Sequence, residues 1–418
     1  MEPSDYPLSE VPKSDRKGLL STSLLLLGFT FFTATMWAGG SLGKAFSFGE
    51  LMLVIVVGNL LLGIYAAVLA YIACKSGLNS VLMGRFCFGE IGSKLSDFIL
   101  GFTQIGWYAW GTATIATVLV KTTGMPAELE IPLMIVFGMA FCITAMVGYR
   151  GLDLLSRFAV PAMMLFILIS LYTGMVDIGG FNGLMLQTPT ESLSWAAAVT
   201  MIIGTFVSGG TQATNWSRFA KTPKIAVIAT LAAFFFGNGL MVLTGALGTM
   251  IYQQADIVDV MIAQGFVVLA VLMLLLNIWT TQDNTIYNFA VAGCNLLRTD
   301  KRRLVTVVGA AIGTVLAVGG MYNLLIPFLI LLGTFIPPIG GVIMADFWLN
   351  HKGNYPKLAD QNLPAFNWLG LAAYGIGSIA AYSSPMLPPV VGVLAAAISY
   401  AVLLRLPFVN SSLDTVKS

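Results

Sequence analysis

Residues 28–43 read GFTFFTATMWAGGSLG, a stretch that mixes Gly, Thr and Ser with aromatic residues. A helix that faced lipid along its whole length would use Leu, Ile and Val instead. A second stretch of the same kind, residues 204–219, reads GTFVSGGTQATNWSRF. What this pair means depends on the surroundings of the chain and on where the two stretches fall among its helices.

The composition indicates that the surroundings are lipid. Of the 418 residues, 57% are hydrophobic and 10% are charged, and the mean hydropathy is +0.86. A soluble domain normally carries about 25% charged residues. A bilayer core of about 30 Å requires about 20 apolar residues per helix.

Apolar stretches of that length recur along the whole chain. They begin near Leu19, Leu51, Phe98, Ile131, Phe158, Trp195, Ile225, Phe266, Val305, Leu324, Phe366 and Met386. The sequence therefore predicts an all-α polytopic membrane protein with 12 transmembrane helices.

The distribution of charge predicts the orientation. With twelve helices and the N-terminus inside, every Lys and Arg except Lys44 and Lys121 falls on one side of the membrane. Because the Lys/Arg bias of short loops sets orientation, both termini are expected in the cytoplasm. The N-terminal tail lacks a cleavable signal pattern, so the first helix is expected to remain in the mature protein. This topology explains the basic residues better than an anionic partner, and no nucleic-acid partner is expected.

The two Gly- and Thr-rich stretches fall in the first and sixth helices, five helices apart. Transporters built from two inverted five-helix repeats have discontinuous helices at these positions, whose unwound backbone binds substrate and ions. For either stretch alone, close helix packing is an alternative explanation. Their matching positions in two halves favour a binding site.

Other classes of membrane protein lack support in the sequence. The four cysteines are scattered without paired spacing, which indicates neither a metal site nor a disulfide framework. The single histidine, His351, lies in a predicted loop, and no nucleophile–base or phosphate-binding motif is present. An enzyme is therefore not expected. A channel would show rings of charge and a receptor an output domain, and no obligate protein partner is indicated.

A polar cluster follows an apolar run in the eighth helix, where residues 276–285 read LNIWTTQDNT. Helical spacing places Asn277, Thr280, Thr281 and Asn284 on one face. Two Thr hydroxyls and the Asn277 carbonyl offer neutral oxygens, which suit a small hard cation that must be released in each cycle. The alternative is that the threonines bond back to their own preceding turn.

The sequence resembles the nucleobase–cation symporter-1 family across essentially the whole chain. The resemblance is carried by the stretches quoted above together with TQIGWYAWG at residues 103–111 and PPIGGVIMADFW at residues 337–348. The resemblance implies a leucine-transporter-type fold with two inverted five-helix repeats plus two extra helices. It also implies a secondary active transporter of the bacterial inner membrane that imports a nucleobase, coupled to Na⁺ by alternating access.

The resemblance also implies a division of the chain. It assigns a cytoplasmic N-terminal tail to residues 1–18, the first repeat to 19–190, the second repeat to 191–349, two additional helices to 350–407 and a cytoplasmic C-terminal tail to 408–418.

The family's cation site lies between helices 1 and 8. By resemblance, the ligands of Na⁺ would be the backbone carbonyls of Gly28, Phe31 and Asn277 and the hydroxyls of Thr280 and Thr281. The helix 8 part of this set agrees with the reading from spacing alone.

The family's substrate site holds a flat ring between aromatic residues of helices 3 and 6, which correspond here to Trp107 and Phe206. Gln104, one turn before Trp107, carries both a donor and an acceptor and so complements the mixed edge of cytosine, the predicted substrate. Ser208 and the backbone around Gly209 and Gly210 are further candidates, and Phe32 would close the pocket near the ion. Uracil, a purine, hydantoin or allantoin as substrate, or H⁺ as coupling ion, are the alternatives.

One further polar contact with the substrate is expected from helix 8, and either Gln282 or Asn284 could make it. Asp283 is an acid inside a predicted helix, which makes it either a proton relay or a structural acid paired with a loop Arg. The structural interpretation is favoured for Asp283, and also for Asp346 at the cytoplasmic end of its helix.

Overall fold

The computed structural model describes residues 5–321 and 325–406. Within these residues the regular elements are helices joined by loops. The only β pairing in the described part of the chain is an isolated parallel bridge between Lys17 and Ala220. The predicted start of a helix at Leu324, the first four residues and the predicted C-terminal tail lie outside the described residues.

The N-terminal half contains nine α-helices. They are α1 (Leu19–Thr30), α2 (Thr33–Ala45), α3 (Phe48–Ser76), α4 (Ser80–Phe88), α5 (Ser93–Thr123), α6 (Glu130–Ala140), α7 (Cys142–Val147), α8 (Tyr149–Asp177) and α9 (Gly180–Met185). The predicted boundary between the two repeats, after residue 190, lies in the loop that follows α9.

The C-terminal half contains eleven more α-helices among the described residues. They are α10 (Trp195–Gln212), α11 (Thr214–Ser217), α12 (Pro223–Leu231), α13 (Asn238–Tyr252), α14 (Ile257–Ala263), α15 (Val267–Leu297), α16 (Arg302–Val318), α17 (Leu325–Phe335), α18 (Pro337–Ala345), α19 (Trp368–Ser383) and α20 (Pro388–Leu403). Short π-helical segments, Ala232–Gly237 and Asp346–Asn350, follow α12 and α18.

Several of these helices meet the requirements for crossing a bilayer. Seven segments of the described chain are long and apolar enough on their own, and the bent pair α1–α2 adds an eighth. Many large apolar side chains are exposed on these segments, for example Phe158, Tyr172 and Val268, each more than 70% exposed. Such a surface is stable only against lipid. The predicted count of twelve spans stays a prediction.

The first predicted discontinuity is present in the structure. Helix 1 is divided into α1 and α2, which are bent by 60° at Phe31 and Phe32. The helix 6 stretch, residues 204–219, is interrupted at Ala213, which keeps right-handed helical angles. α10 runs unbroken through residues 204–210, so the backbone around Gly209 and Gly210 is helical and not unwound as predicted. Gly209 allows close packing instead, since a Cβ atom there would lie 2.6 Å from the Phe29 ring.

Glycines allow α2 and α13 to pack with their backbones almost in contact. A Cβ atom on Gly39 would lie 2.0 Å from the carbonyl oxygen of Val242, and one on Gly245 would lie 1.9 Å from that of Met36. Real side chains do not approach a backbone this closely, so neither position has room for even a methyl group. α2 is thereby fixed to α13.

The N-terminal tail is packed onto the ends of the helices. Arg218, which is completely buried, donates 2.8 Å hydrogen bonds to the carbonyls of Asp5 and Tyr6. The Asp5 carboxylate in turn lies 3.3 Å from the Arg302 guanidinium. Burial raises the pKa of Asp5, and the charge of Arg302 opposes that rise. The tail thus joins the end of α11 to the start of α16.

Gly245→Ala is expected to lower the free energy of unfolding by about 1–3 kcal/mol, the usual cost of overfilling a packed interior. Gly375→Ala in α19 is the matched control, because a Cβ atom there meets nothing within 4 Å. Thermal melting of the two purified variants in detergent measures the difference. Equal melting temperatures would contradict the proposed role of the α2–α13 contact.

Candidate functional site

The break in helix 1 is stabilised from helix 8. Phe31 and Phe32 leave helical geometry, with φ/ψ of −79°/87° and −136°/131°. Phe32 precedes α2 but has no side-chain oxygen to cap it. Instead, Asn277 of α15 accepts hydrogen bonds from the backbone N–H and the hydroxyl of Thr33, at 3.0 and 2.9 Å. A side chain from another helix therefore satisfies the first amide of α2, as an N-cap would.

Neutral oxygens converge beside this break. The Thr281 hydroxyl lies 3.2 Å from the carbonyl oxygen of Phe31 and 3.1 Å from that of Asn277. The end of α1 leaves its last carbonyls without intrahelical partners. Transporters built from inverted five-helix repeats bind Na⁺ with oxygens at an interrupted helix. Three of the five predicted cation ligands are thus brought together.

The other two predicted cation ligands are the Thr280 hydroxyl and the Gly28 carbonyl, and the role of the Gly28 carbonyl stays a prediction. Thr280 donates to the carbonyls of Leu276 and Asn277, at 2.8 and 3.2 Å, so it bonds back to its own helix. Gly28 lies in the last turn of α1 against α8, where an added Cβ atom would be 2.8 Å from the Ser156 hydroxyl. Thr280 shares the Asn277 carbonyl with Thr281 and therefore lies at the edge of the oxygen cluster.

A small cavity adjoins the oxygen cluster. It is lined by Phe29, Phe32, Gln104, Trp107, Thr205, Phe206, Gly209, Thr281 and Thr285. Thr281 therefore belongs to both the oxygen cluster and the cavity. Among the residues that line the cavity, none carries an ionisable side chain.

Aromatic rings form the apolar part of the cavity. Phe32 meets Trp107 edge to face with 5.7 Å between ring centroids, and it meets Phe206 in the same way at 6.4 Å. On its other side Trp107 packs against Phe328 at 5.4 Å. The predicted pair, Trp107 and Phe206, both line the cavity, and Phe32 bridges them from the break in helix 1.

Gln104 provides the amide of the cavity, whose other polar lining residues are Thr205, Thr281 and Thr285. Its side-chain amide donates a 2.9 Å hydrogen bond to the Ser208 hydroxyl, so the two predicted polar residues are in direct contact. The Gln104 side chain is almost fully buried, at 1% exposure. A cavity with aromatic walls and one neutral amide can bind a flat, uncharged, hydrogen-bonding molecule.

Neither Gln282 nor Asn284 lines the cavity. Gln282 points at α5, where its amide donates to the Tyr108 carbonyl at 2.6 Å and packs over Gly111. Asn284 donates to the Thr280 carbonyl at 2.7 Å within its own helix. Thr285 lies at the cavity in their place, one turn after Thr281, a spacing from which it could have been identified.

Sequence reasoning also missed Phe29 and Thr205. Phe29 lies three residues before Phe32 and packs edge to face on Phe206, with 5.1 Å between centroids. Thr205 accepts a 3.1 Å hydrogen bond from Asn238 of α13. Their residue types give no signal that separates them from ordinary packing.

The two singled-out acids are buried and satisfied by neighbours. Asp283 accepts hydrogen bonds from Thr144 of α7 at 3.0 Å and from Asn284 at 3.1 Å, so the expected loop Arg is not its partner. Asp346 is an acceptor for Tyr355 and Tyr400, at 2.8 and 2.6 Å. It joins the ends of α18 and α20, as a structural acid would.

Comparison with known proteins identifies the family. The family described as permease for cytosine/purines, uracil, thiamine and allantoin matches residues 10–403. The chain belongs to this family. The cytosine permease of Escherichia coli (strain K12) is 38% identical over 400 residues, which cover 96% of this chain and 94% of the relative. The hydantoin permease of Microbacterium maritypicum is 22% identical, with 95% and 87% covered.

Solved structures show the same fold. A nucleobase-cation-symport-1 family transporter, closed with bromovinylhydantoin bound, superimposes with a TM-score of 0.86 at 18% identity, covering 97% of this chain and 95% of the other. A Na⁺-coupled sialic acid symporter gives a TM-score of 0.70 at 13% identity, with 93% and 90% covered. The predicted family and the leucine-transporter-type fold are confirmed. The chain is a multi-pass integral membrane protein with a transporter fold.

Proposed function

We propose that this permease-family chain is a secondary active transporter that imports cytosine through the bacterial inner membrane, coupled to Na⁺ by alternating access. In this proposal both termini are cytoplasmic, residues 19–190 and 191–349 form the inverted repeats, and residues 350–407 add two helices. Na⁺ is a transported substrate, held by the carbonyls of Phe31 and Asn277 and the hydroxyl of Thr281, with Thr280 and Gly28 at the edge.

The observation that carries the proposal is the position of Thr281. Its hydroxyl contacts the Phe31 carbonyl, and the same residue lines the cavity between Trp107 and Phe206. Phe31 and Phe32 extend this connection along helix 1, since consecutive residues face the oxygen cluster and the cavity. A cation that orders the break would therefore also order the cavity wall, which is what coupling between two ligands requires.

The chemistry of the cavity supports a small neutral ring as substrate. Its lining residues carry no ionisable side chain, which suits an uncharged substrate. Trp107 and Phe206 supply faces for stacking, and Gln104 supplies a donor and an acceptor without charge. Cytosine fits these three conditions, and the 38% identical relative is a cytosine permease.

Asp283 favours one alternative, coupling to H⁺. It is a fully buried carboxyl group, one helical turn from Thr280. It accepts hydrogen bonds from the Thr144 hydroxyl and the Asn284 amide, neither of which is a base. A buried acid inside a membrane helix is a common proton carrier. The Na⁺ proposal is preferred because the carbonyl and hydroxyl oxygens lie at the cavity itself and Asp283 does not line it.

Uptake of radiolabelled cytosine into proteoliposomes tests the function. Uptake is expected with an inward Na⁺ gradient and not with K⁺ in its place, and unlabelled cytosine should compete better than uracil, hydantoin or allantoin. Because binding energies are reciprocal, Na⁺ should also raise cytosine affinity by about 5–150-fold in an equilibrium titration. Uptake driven by a pH gradient without Na⁺ would establish the alternative.

Trp107→Ala and Phe206→Ala are each expected to weaken cytosine binding by about 1–3 kcal/mol, because each removes one stacking face. Trp368→Ala is the control, since that side chain is 71% exposed on α19. Binding is measured by calorimetry at saturating Na⁺, and melting temperatures verify that the variants are folded. Normal affinity in both cavity variants would show that the ring binds elsewhere.

Thr281→Val keeps the shape of the side chain and removes the hydroxyl group at the centre of the oxygen cluster. It is expected to raise the Na⁺ concentration for half-maximal uptake by about 10- to 150-fold, since a hydrogen bond or ligand to a charged group is worth about 1.5–3 kcal/mol. Thr280→Val should have a smaller effect, because Thr280 bonds back to its own helix.

Asp283→Asn is the matched test of the proton alternative and is expected to leave the Na⁺ dependence of uptake in place. A Na⁺ requirement that survives Thr281→Val and disappears in Asp283→Asn would transfer the cation site to Asp283.

A further inference from the structure

A chain of hydrogen bonds behind the cavity has a fixed direction. The Thr103 hydroxyl donates to the Leu100 carbonyl at 2.8 Å, and its oxygen lies 3.0 Å from the Ser208 hydroxyl. A carbonyl can only accept, so the Thr103 proton is committed to Leu100, and Ser208 must donate to Thr103. The Ser208 oxygen is then the acceptor for the amide nitrogen of Gln104, at 2.9 Å.

The same chain continues on the other side of Gln104. The Gln104 carbonyl oxygen accepts from the side-chain amide of Asn288 in α15 at 3.4 Å, and the Asn288 oxygen accepts from Asn215 of α11 at 2.7 Å. All three side chains are at most 3% exposed. Helices 3, 6 and 8 are therefore connected through one amide that lines the cavity.

This arrangement determines which way the Gln104 amide faces. Turning the amide by 180° would place its nitrogen against the Asn288 nitrogen, a buried contact without a complementary partner. The Ser208 hydroxyl could rotate and donate to the turned amide oxygen, so the contact with Asn288 decides the orientation. The amide retains one N–H and one oxygen lone pair beyond those used in the chain, and it offers them in a fixed order.

We propose that Asn288, supported by Asn215, is a positioning residue that sets the choice of pyrimidine by fixing the orientation of Gln104. This inference rests on the proposed function. Cytosine and uracil share a ring shape but differ along one edge. Cytosine carries an acceptor nitrogen beside an amino donor there, and uracil carries an N–H donor beside a carbonyl acceptor. For a ring that binds one way round between Trp107 and Phe206, a fixed amide complements one order and opposes the other, and in this proposal the order that it complements is that of cytosine.

Asn288→Asp tests this directly, because a carboxylate accepts from Asn215 but cannot donate to Gln104. Gln104 must then turn its N–H toward residue 288 and present the reversed order to the cavity. Asn288→Leu removes the constraint without imposing the reversed one. Asn215→Leu removes the outer link of the chain at a side chain that does not line the cavity.

The measurement is the ratio of the uracil Kd to the cytosine Kd, determined by calorimetry at saturating Na⁺ on the full-length protein. The ratio is expected to fall by roughly tenfold or more in Asn288→Asp, and by less in Asn288→Leu and Asn215→Leu. Gln264→Leu is the control, since that amide donates to the Ser170 carbonyl, outside the cavity. A purely structural role would weaken both bases together and leave the ratio unchanged.

The outcomes separate this inference from the proposed function. Wild-type protein that binds neither base contradicts the proposed function, and the inference fails with it. Wild-type protein that prefers cytosine, with an unchanged ratio in the Asn288 variants, overturns the inference alone. If both Asn288 variants bind neither base, the ratio in Asn215→Leu decides, and loss of both bases there as well overturns the inference.

Discussion

Backbone polar groups inside a bilayer must find partners within the protein, and the break in helix 1 depends on this requirement. Lipid offers no hydrogen bonds, so an interrupted helix is stable only where other groups satisfy its ends. Asn277 supplies the acceptor for the first amide of α2, and Thr281 contacts the carbonyl at the end of α1. The same two residues lie at the cavity wall or next to it. The side chains that satisfy the broken backbone of helix 1 therefore also form the oxygen-rich site beside the cavity.

Much of this could be predicted from the sequence, because polar residues inside apolar helices are costly and must have a reason. That rule indicates residues 28–43 and the Asn277–Thr281 segment without any structure. It does not give the direction of a side chain. Gln282 and Thr281 are adjacent and equally polar, yet one packs on Gly111 and the other lines the cavity, because the rotation of α15 against its neighbours decides between them.

Helix 6 shows a second limit of sequence reasoning. The Gly-rich stretch from Gly204 to Gly210 matches helix 1 in composition, but glycine serves an unwound backbone and close packing equally well. Helix 1 breaks because Asn277 can cap the chain that follows, whereas α10 continues to Gln212. The position of a break therefore depends on partners from distant parts of the sequence. The composition of the stretch itself does not determine it. The sequence does not indicate Asn288 for the same reason, since its proposed role arises from contacts with α5 and α11.

The packed N-terminal tail has a consequence for how the protein is made. The backbone carbonyls of Asp5 and Tyr6 bind Arg218, and Asp5 and Arg218 are 213 residues apart in the chain. At a synthesis rate of about 5–20 residues per second, the ribosome reaches Arg218 roughly 10–40 s after it has made the tail. Until then Asp5 and Tyr6 lack this partner, and the contact of Asp5 with Arg302 forms later still. The contacts of Asp5 and Tyr6 are therefore completed only after three quarters of the helices described here have been synthesised.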